Sequence, residues 1–391
     1  MEPLIYAAMA LLKDIDMNSK ERVVKAMNFE EPDRVPLMCQ FSIGFMLRQL
    51  KVSPAEFWFD GSVFLDGLIE LRNIFKFDGI LVTLFGHDPF WKNEVSKISK
   101  DSNGETVYWK NGDITFCPLN DLPVHHPVNI KPKTNISDFD PDSLDEDICY
   151  TIVSQGLDFS ISSAARFSIL NKAFDKTGGN YSIHGEVGSP FDYFLDLIGH
   201  QDSLMALLDE PEKCKEIIQK YTNAVAKLSS EMSDQSIDAI KISSPYAGAG
   251  FISPEFYKNF VLPYESQVIK AIRDKNKYVY IHTCGSIGDR LELIADSGVS
   301  GIECLDPPPI GNVDLADAKK RIGARCFIKG NIDSVNTLLN KSISEVKKDA
   351  KERIETGKIG SGFILSTACS IAPEVPKENI LALYEAVEEW G

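Results

Sequence analysis

The chain has 391 residues, 43% hydrophobic and 25% charged, enough to bury the core of one large α/β domain or two ordinary ones. A formal charge of −16 argues against nucleic acid and anionic membrane as partners, because both demand basic patches. Eight cysteines scattered over a long chain without an export signal read as reduced thiols in a cytoplasmic protein, which excludes a disulfide scaffold and permits a metal site.

The N-terminal MEPLIYAAMALLKDID begins with an acid and lacks a basic n-region, so it does not read as a signal peptide. Leu4, Ala8, Leu11 and Ile15 recur at helical spacing. They predict a helical extension within 1–30 that docks on the body or forms a homodimer. No apolar run reaches the length that spans a bilayer.

Eight short apolar runs follow: Arg34–Cys39, Gly79–Leu84, Tyr181–Glu186, Asp238–Ser243, Lys277–His282, Ser300–Leu305, Arg325–Gly330 and Gly362–Thr367. Near-continuous apolar runs are expected of parallel strands covered on both faces, and most of these precede an amphipathic stretch of helical length. The pattern predicts an α/β fold with a single (β/α)8 TIM-type barrel over 1–391; a doubly wound sheet is the alternative. The connection 87–177 is too long for a plain β/α loop. Asn103-Gly104 and Asn111-Gly112, flanked by the alternating ETVYWK and DITFCPL, predict a β-meander inserted after strand two. An acidic linker, KPKTNISDFDPDSLDED, and a helical stretch from about 148 to 173 complete the insertion.

In such a barrel, chemistry sits at the C-terminal ends of the strands. His282 closes the fifth expected strand, Cys284 lies two residues on, and Cys369 follows the eighth. One imidazole and two thiolates at one mouth suit Zn²⁺ better than a hard cation, and three protein ligands with an open fourth position is the catalytic pattern. The bland alternative is that buried cysteines at strand ends are small core residues, and Cys304 and Cys326 are read that way. Glu186 and Tyr246, after the third and fourth expected strands, should also face the mouth as catalytic groups. His87, Asp88, Phe90 and Trp91 in FGHDPFW are candidates for binding substrate by stacking, or for packing under the meander. His125 and His126 read as solvent-facing, and YAGAG lacks the third spaced glycine of a dinucleotide fingerprint.

Several stretches carry a resemblance: ERVVKAMNFEEPDRVPLM, GEVGSPFDYFLDLIG, SSPYAGAGFISPEFYKNFVLPY, YIHTCGSIGDRLELIADSG, KGNID and ILSTACSIAPEVPKENI. They resemble the uroporphyrinogen decarboxylase superfamily, and the His-x-Cys with a distant Cys is similar to its branch of zinc-dependent corrinoid methyltransferases. The resemblance implies a barrel, with His282, Cys284 and Cys369 on zinc and Glu303 nearby as a displaceable fourth ligand. It also implies methyl transfer between a small methylated substrate (methoxy, methylamine or thiol type) and the cobalt of a corrinoid. No Asp-x-His-x-x-Gly signature occurs, so the corrinoid (cobalamin) is expected on a separate partner protein. CQFSIGFMLRQLKVSP departs from the decarboxylase's arginine-bearing MRQAGR-type segment, keeping Arg48 as its cation before Lys51, too few for a polycarboxylate porphyrinogen. A metal-free decarboxylase-like lyase and a barrel with a purely structural zinc are the competing readings.

Overall fold

Buried runs of four to seven residues build the centre of the molecule, which a computed structural model describes over residues 17–129 and 135–391. The expected helix through Leu4 and Ile15 lies outside the described residues. In chain order the strands are β1 (Gly79–Val82), β2 (Val95–Lys100), β3 (Gly104–Trp109), β4 (Ile114–Pro118), β5 (Val124–His126), β6 (Tyr150–Ser154) and β7 (Leu157–Ser160). β8 (Ser182–Gly188), β9 (Ala239–Ser243), β10 (Tyr278–Thr283), β11 (Gly301–Cys304), β12 (Phe327–Ile332) and β13 (Phe363–Thr367) follow. One parallel seven-stranded sheet runs β1-β8-β9-β10-β11-β12-β13. Helices such as Pro211–Ser233, Leu262–Arg273 and Ile343–Gly357 connect its strands. No helix among the described residues is long and apolar enough to cross a membrane.

The first expected strand, Arg34–Cys39, does not form a regular ladder. Met38 N donates to Leu365 O, Leu365 N to Pro36 O, and Asp78 N to Leu37 O, so the segment bridges the two edge strands through a single β-bridge, Leu37 to Leu365. Pro36 has no N–H to continue the ladder, which explains the interruption. Asp78 fixes the segment instead: its carboxylate accepts from Leu37 N and from the guanidinium groups of Arg22 and Arg34.

Between β1 and β8 lies an antiparallel sheet of order β2-β3-β4-β5. The expected helix over 148–173 is corrected: residues 150–160 form the β6–β7 hairpin, and the helix is confined to Ser168–Thr177. Gly156, at φ +74°, supplies the left-handed turn residue, and Leu157 and Phe159 alternate with exposed neighbours, a period of two rather than 3.6.

Alternation along the central strands sorts the interior into layers. Tyr280, Phe327, Ala239 and Ile364 pack with Leu81, Met38 and the Val23, Ala26 and Met27 face of helix Ser19–Met27, which closes that end. Two residues further along, the same strands carry His282, Lys329, Lys241 and Ser366, so the apolar layer gives way to a charged one. His184 belongs to this interior, fully buried between Ser182 Oγ (3.0 Å) and Tyr280 Oη (3.0 Å). Burial holds its pKa down at about 4. A histidine lowered in the folded state is protonated first in the unfolded one, so its stabilising contribution is present above pH 6.5 and is lost as pH falls toward 4. Relative to His184→Gln, the wild type should lose about 3 kcal/mol over that window. Urea titrations of both proteins at a series of pH values check this; parallel curves would refute it.

Candidate metal centre

Sheet register assembles the site. His282 on β10 lies opposite Glu303 on β11, and Glu303 lies opposite Lys329 on β12; across the sheet, Glu186 on β8 lies opposite Lys241 on β9. The side chains make the contacts this register allows. His282 Nδ1–H donates to Glu303 Oε2 at 2.9 Å, and the other carboxylate oxygen of Glu303 is paired with the Lys329 ammonium. Lys241 Nζ lies 3.5 Å from Glu303 Oε2 and 3.3 Å from Glu186 Oε1, and donates to Gln40 Oε1 at 2.6 Å. Glu303 and both lysines are almost fully buried, so two cations and two carboxylates neutralise one another in a dry interior.

Above this layer sits a sulfur cluster. His282 Nε2 is 3.2 Å from Cys284 Sγ, and Cys284 Sγ is 3.9 Å from Cys369 Sγ. The donor atoms of His282, Cys284 and Cys304 all lie within 4.8 Å of one another. Gly285, at φ +75°, turns the chain away directly after Cys284, and its N–H is held by Asp306 Oδ2 at 2.7 Å. The Cys304 thiol donates to the same oxygen at 3.2 Å.

Electrostatics prepare the cluster. The neighbouring Cys304 and Cys369 sulfurs, joined by the His282 ring, push Cys284 far below the usual thiol range, against the opposing effect of burial. Burial pushes Cys304 up; the hydrogen bond to Cys284, then burial, do the same to Cys369. Burial and Lys241 act to lower His282, but the Cys284 sulfur and the Glu303 carboxylate outweigh them and lift it to about 9. Burial opposes ionisation of Glu303, yet Lys329, Lys241 and His282 keep it well below the usual carboxylate range. The donor set fits zinc. With Zn–S bonds of about 2.3 Å, a tetrahedral site spaces its sulfurs about 3.8 Å apart. Glu303 keeps a proton on Nδ1, so Nε2 is the nitrogen that a metal would take, displacing the proton that the raised His282 carries there.

The expected residues fall in three places. His282, Cys284 and Cys369 come together. Glu303, expected as a fourth ligand, is placed on the far nitrogen of His282 and engaged by two lysines, so it orients the imidazole. Glu186 reaches the charged layer and keeps Oε2 buried without a hydrogen-bond partner among the described residues. Tyr246 is half-buried, edge-on to His200 (4.2 Å) and Phe251 (5.1 Å).

His87, Asp88, Phe90 and Trp91 lie elsewhere, beneath the insertion. His87 packs edge-on to Phe159 and Trp91 stacks on Phe59, whereas Phe90 is exposed and Asp88 accepts from Phe90 N. Asp88 and Trp91 line a cavity of about 280 Å³ with Trp58, Trp109 and Phe159, and no cysteine of the cluster lines it. His125 and His126, read as solvent-facing, are exposed, and His125 Nδ1 is hydrogen-bonded to Thr115 Oγ1 at 2.9 Å. Cys304, read as core, belongs to the cluster. Lys241 and Lys329 went unread, although a lysine inside an otherwise apolar buried strand (AIKIS, FIKGNI) is the signal that finds them.

Comparison with known proteins agrees with this architecture. The chain is 30% identical over 216 residues to the methylcobamide:CoM methyltransferase MtaA of Methanosarcina barkeri, covering 55% of this chain and 60% of that one. The match thus spans under two thirds of that relative. To the methylcobamide:CoM methyltransferase MtbA of Methanosarcina mazei it is 24% identical over 375 residues, 95% of this chain and 98% of the other. A solved methyltransferase from Methanosarcina mazei has the same fold, with a TM-score of 0.69 at 20% identity, covering 96% of this chain and 99% of that one. The family model for uroporphyrinogen decarboxylase (URO-D) matches residues 164–390, which carry β8 to β13 and every cysteine of the cluster, and the chain belongs to that family.

Proposed function

We propose that this chain is a zinc-dependent methyltransferase that moves a methyl group between a small methylated substrate, or a thiol, and the cobalt of a corrinoid carried by a separate protein. The observation that carries the reading is the His282–Cys284–Cys369 cluster at the strand ends, seated on a buried Glu303. The relatives named as methylcobamide:CoM methyltransferases support it. The fold is read as a (β/α)8 barrel over 1–391 in which 34–39 serves as the irregular eighth stave and 87–177 as an insertion. The protein is read as cytoplasmic.

Bound at this cluster, zinc would keep a thiol ionised and nucleophilic at neutral pH, or polarise the heteroatom that a methyl group leaves. The chain's own residues prepare that chemistry. Cys284 and Cys369 supply soft anionic donors, and His282 supplies Nε2. Glu303 holds the imidazole in place and takes its Nδ1 proton in a hydrogen bond, while Lys241 and Lys329 keep Glu303 ionised. Glu186, with one oxygen unpartnered among the described residues, and Tyr246 are available to orient a substrate group. Cys284 and Cys369 are half-buried, whereas Cys304 is buried, so a corrinoid protein would approach the cluster from the Cys284–Cys369 side.

The test combines metal analysis with the cobalt spectrum. The purified protein should hold about one zinc per chain. It should convert Co(I) cobalamin to methyl-Co(III) with a methylated donor from a methoxy, methylamine and thioether panel, or run the reverse reaction with a thiol. Transfer that persists in a protein shown to hold no zinc would sink the proposal.

A further inference from the structure

Regular alternation would turn Cys304 away from the site. It lies opposite Thr283, one residue out of step with the inward pair His282 and Glu303. The backbone prevents that outcome. Cys304 has φ +85° and Leu305 has φ +54°, two consecutive non-glycine residues in the left-handed region. Side chains disfavour that conformation, and where it persists the surroundings hold it in place. Here it brings a fully buried thiol into mutual reach of His282 and Cys284, within 4.8 Å of both, with Asp306 Oδ2 accepting its S–H at 3.2 Å.

From this geometry, and resting on the zinc reading above, we propose that Cys304 is a fourth protein ligand, completing a His282–Cys284–Cys304–Cys369 set in the absence of substrate and leaving it when a substrate thiol binds. The exchange balances. The incoming S–H bond breaks as the new metal–sulfur bond forms, and its proton ends on the departing Cys304 sulfur, with no change of oxidation state. Cys304 is the ligand placed to leave. Cys284 sits at the centre, in contact with the imidazole and the Cys369 sulfur, whereas a freed Cys304 thiol has its acceptor, Asp306, already in position. A protein ligand that steps aside keeps water from the metal between turnovers, yet leaves the three-ligand open site that catalysis requires.

Zinc K-edge X-ray absorption on the zinc-loaded full chain tests this without reference to activity, using 2-hydroxyethaneselenol as the probe because selenium is counted separately from sulfur. The wild type should show three sulfur neighbours and one nitrogen, changing to two sulfurs and one selenium with the selenol. Cys304→Ser, and Cys304→Ala as a second variant, should retain zinc with two sulfurs and gain the selenium without losing sulfur. Two sulfurs in the wild type, as when Asp306 supplies the fourth donor, would overturn the assignment of Cys304 and leave the zinc reading standing. Three sulfurs that no selenol displaces would overturn the exchange and identify a closed structural site. A wild type that takes up no zinc would overturn this proposal together with the one it rests on.

Discussion

Cys284→Ala will leave the chain folded and almost unable to hold zinc. Cys284 is the centre of the cluster: the His282 ring lies 3.2 Å from its sulfur and Cys369 3.9 Å, and Cys304 is in reach. Removing it takes away the sulfur whose surroundings most favour the ionised form, and leaves the Cys304 and Cys369 thiols, both pushed up, to lose their protons on binding. Loss of a group that merely supports a ligand costs about 10- to 100-fold in metal affinity, and loss of the central ligand should exceed about 100-fold. Methyl transfer should fall with it. Cys369→Ala should also weaken binding, but less, because the mutually close His282, Cys284 and Cys304 remain. Cys326→Ala is the control. Its thiol is buried against Val299 O at 3.7 Å, away from the cluster, and its zinc content should be unchanged. Competition titrations against a chelator of known affinity measure all three. Wild-type affinity in Cys284→Ala would show that the cluster does not bind the metal, whatever its geometry.

The half of the site readable in the sequence is the half that depends on position along strands. An apolar run ending in His-Thr-Cys places His282 inward at a strand end, and Cys369 follows another strand of the same sheet. The other half depends on how strands lie beside one another. A lysine within AIKIS or FIKGNI reads locally as an anomaly; it becomes half of an ion pair once β9 is set against β8 and β12 against β11. Cys304 was illegible for a different reason. Its inward turn comes from two positive φ angles, and alternation, the rule that correctly places Glu303, assigns Cys304 to the opposite face. The Arg34–Cys39 segment shows the converse: its apolar pattern is that of a strand, but Pro36 lacks the N–H that a ladder needs. The β6–β7 hairpin was missed because its period of two was read as helical across Gly156.

Glu303→Ala should be among the most destabilising single changes in the protein. The carboxylate is nearly inaccessible to water and meets three groups at once: the His282 ring, Lys241 and Lys329. Without it, Lys241 keeps Glu186 and Gln40, but Lys329 is left with the Ser366 hydroxyl at 3.4 Å and the face of the Tyr280 ring at 5.8 Å, neither of them an anion. Breaking a buried pair by removing one partner typically costs about 3–5 kcal/mol, because the other charge stays behind unmatched. Urea denaturation of the metal-free proteins at neutral pH should show a loss of that size. Glu303→Gln separates this stability effect from the one on the metal. The amide fills the same space and can still accept a hydrogen bond from a lysine, so less stability is lost. Its NH₂ group, however, can face His282 Nδ1 only as a donor. The imidazole must then carry its proton on Nε2, the nitrogen that should bind zinc. Zinc affinity should therefore fall about 10- to 100-fold in Glu303→Gln even where the fold is largely preserved. A variant that lost stability but bound zinc as tightly as the wild type would show that Glu303 serves the lysines alone and does not set the tautomer of His282.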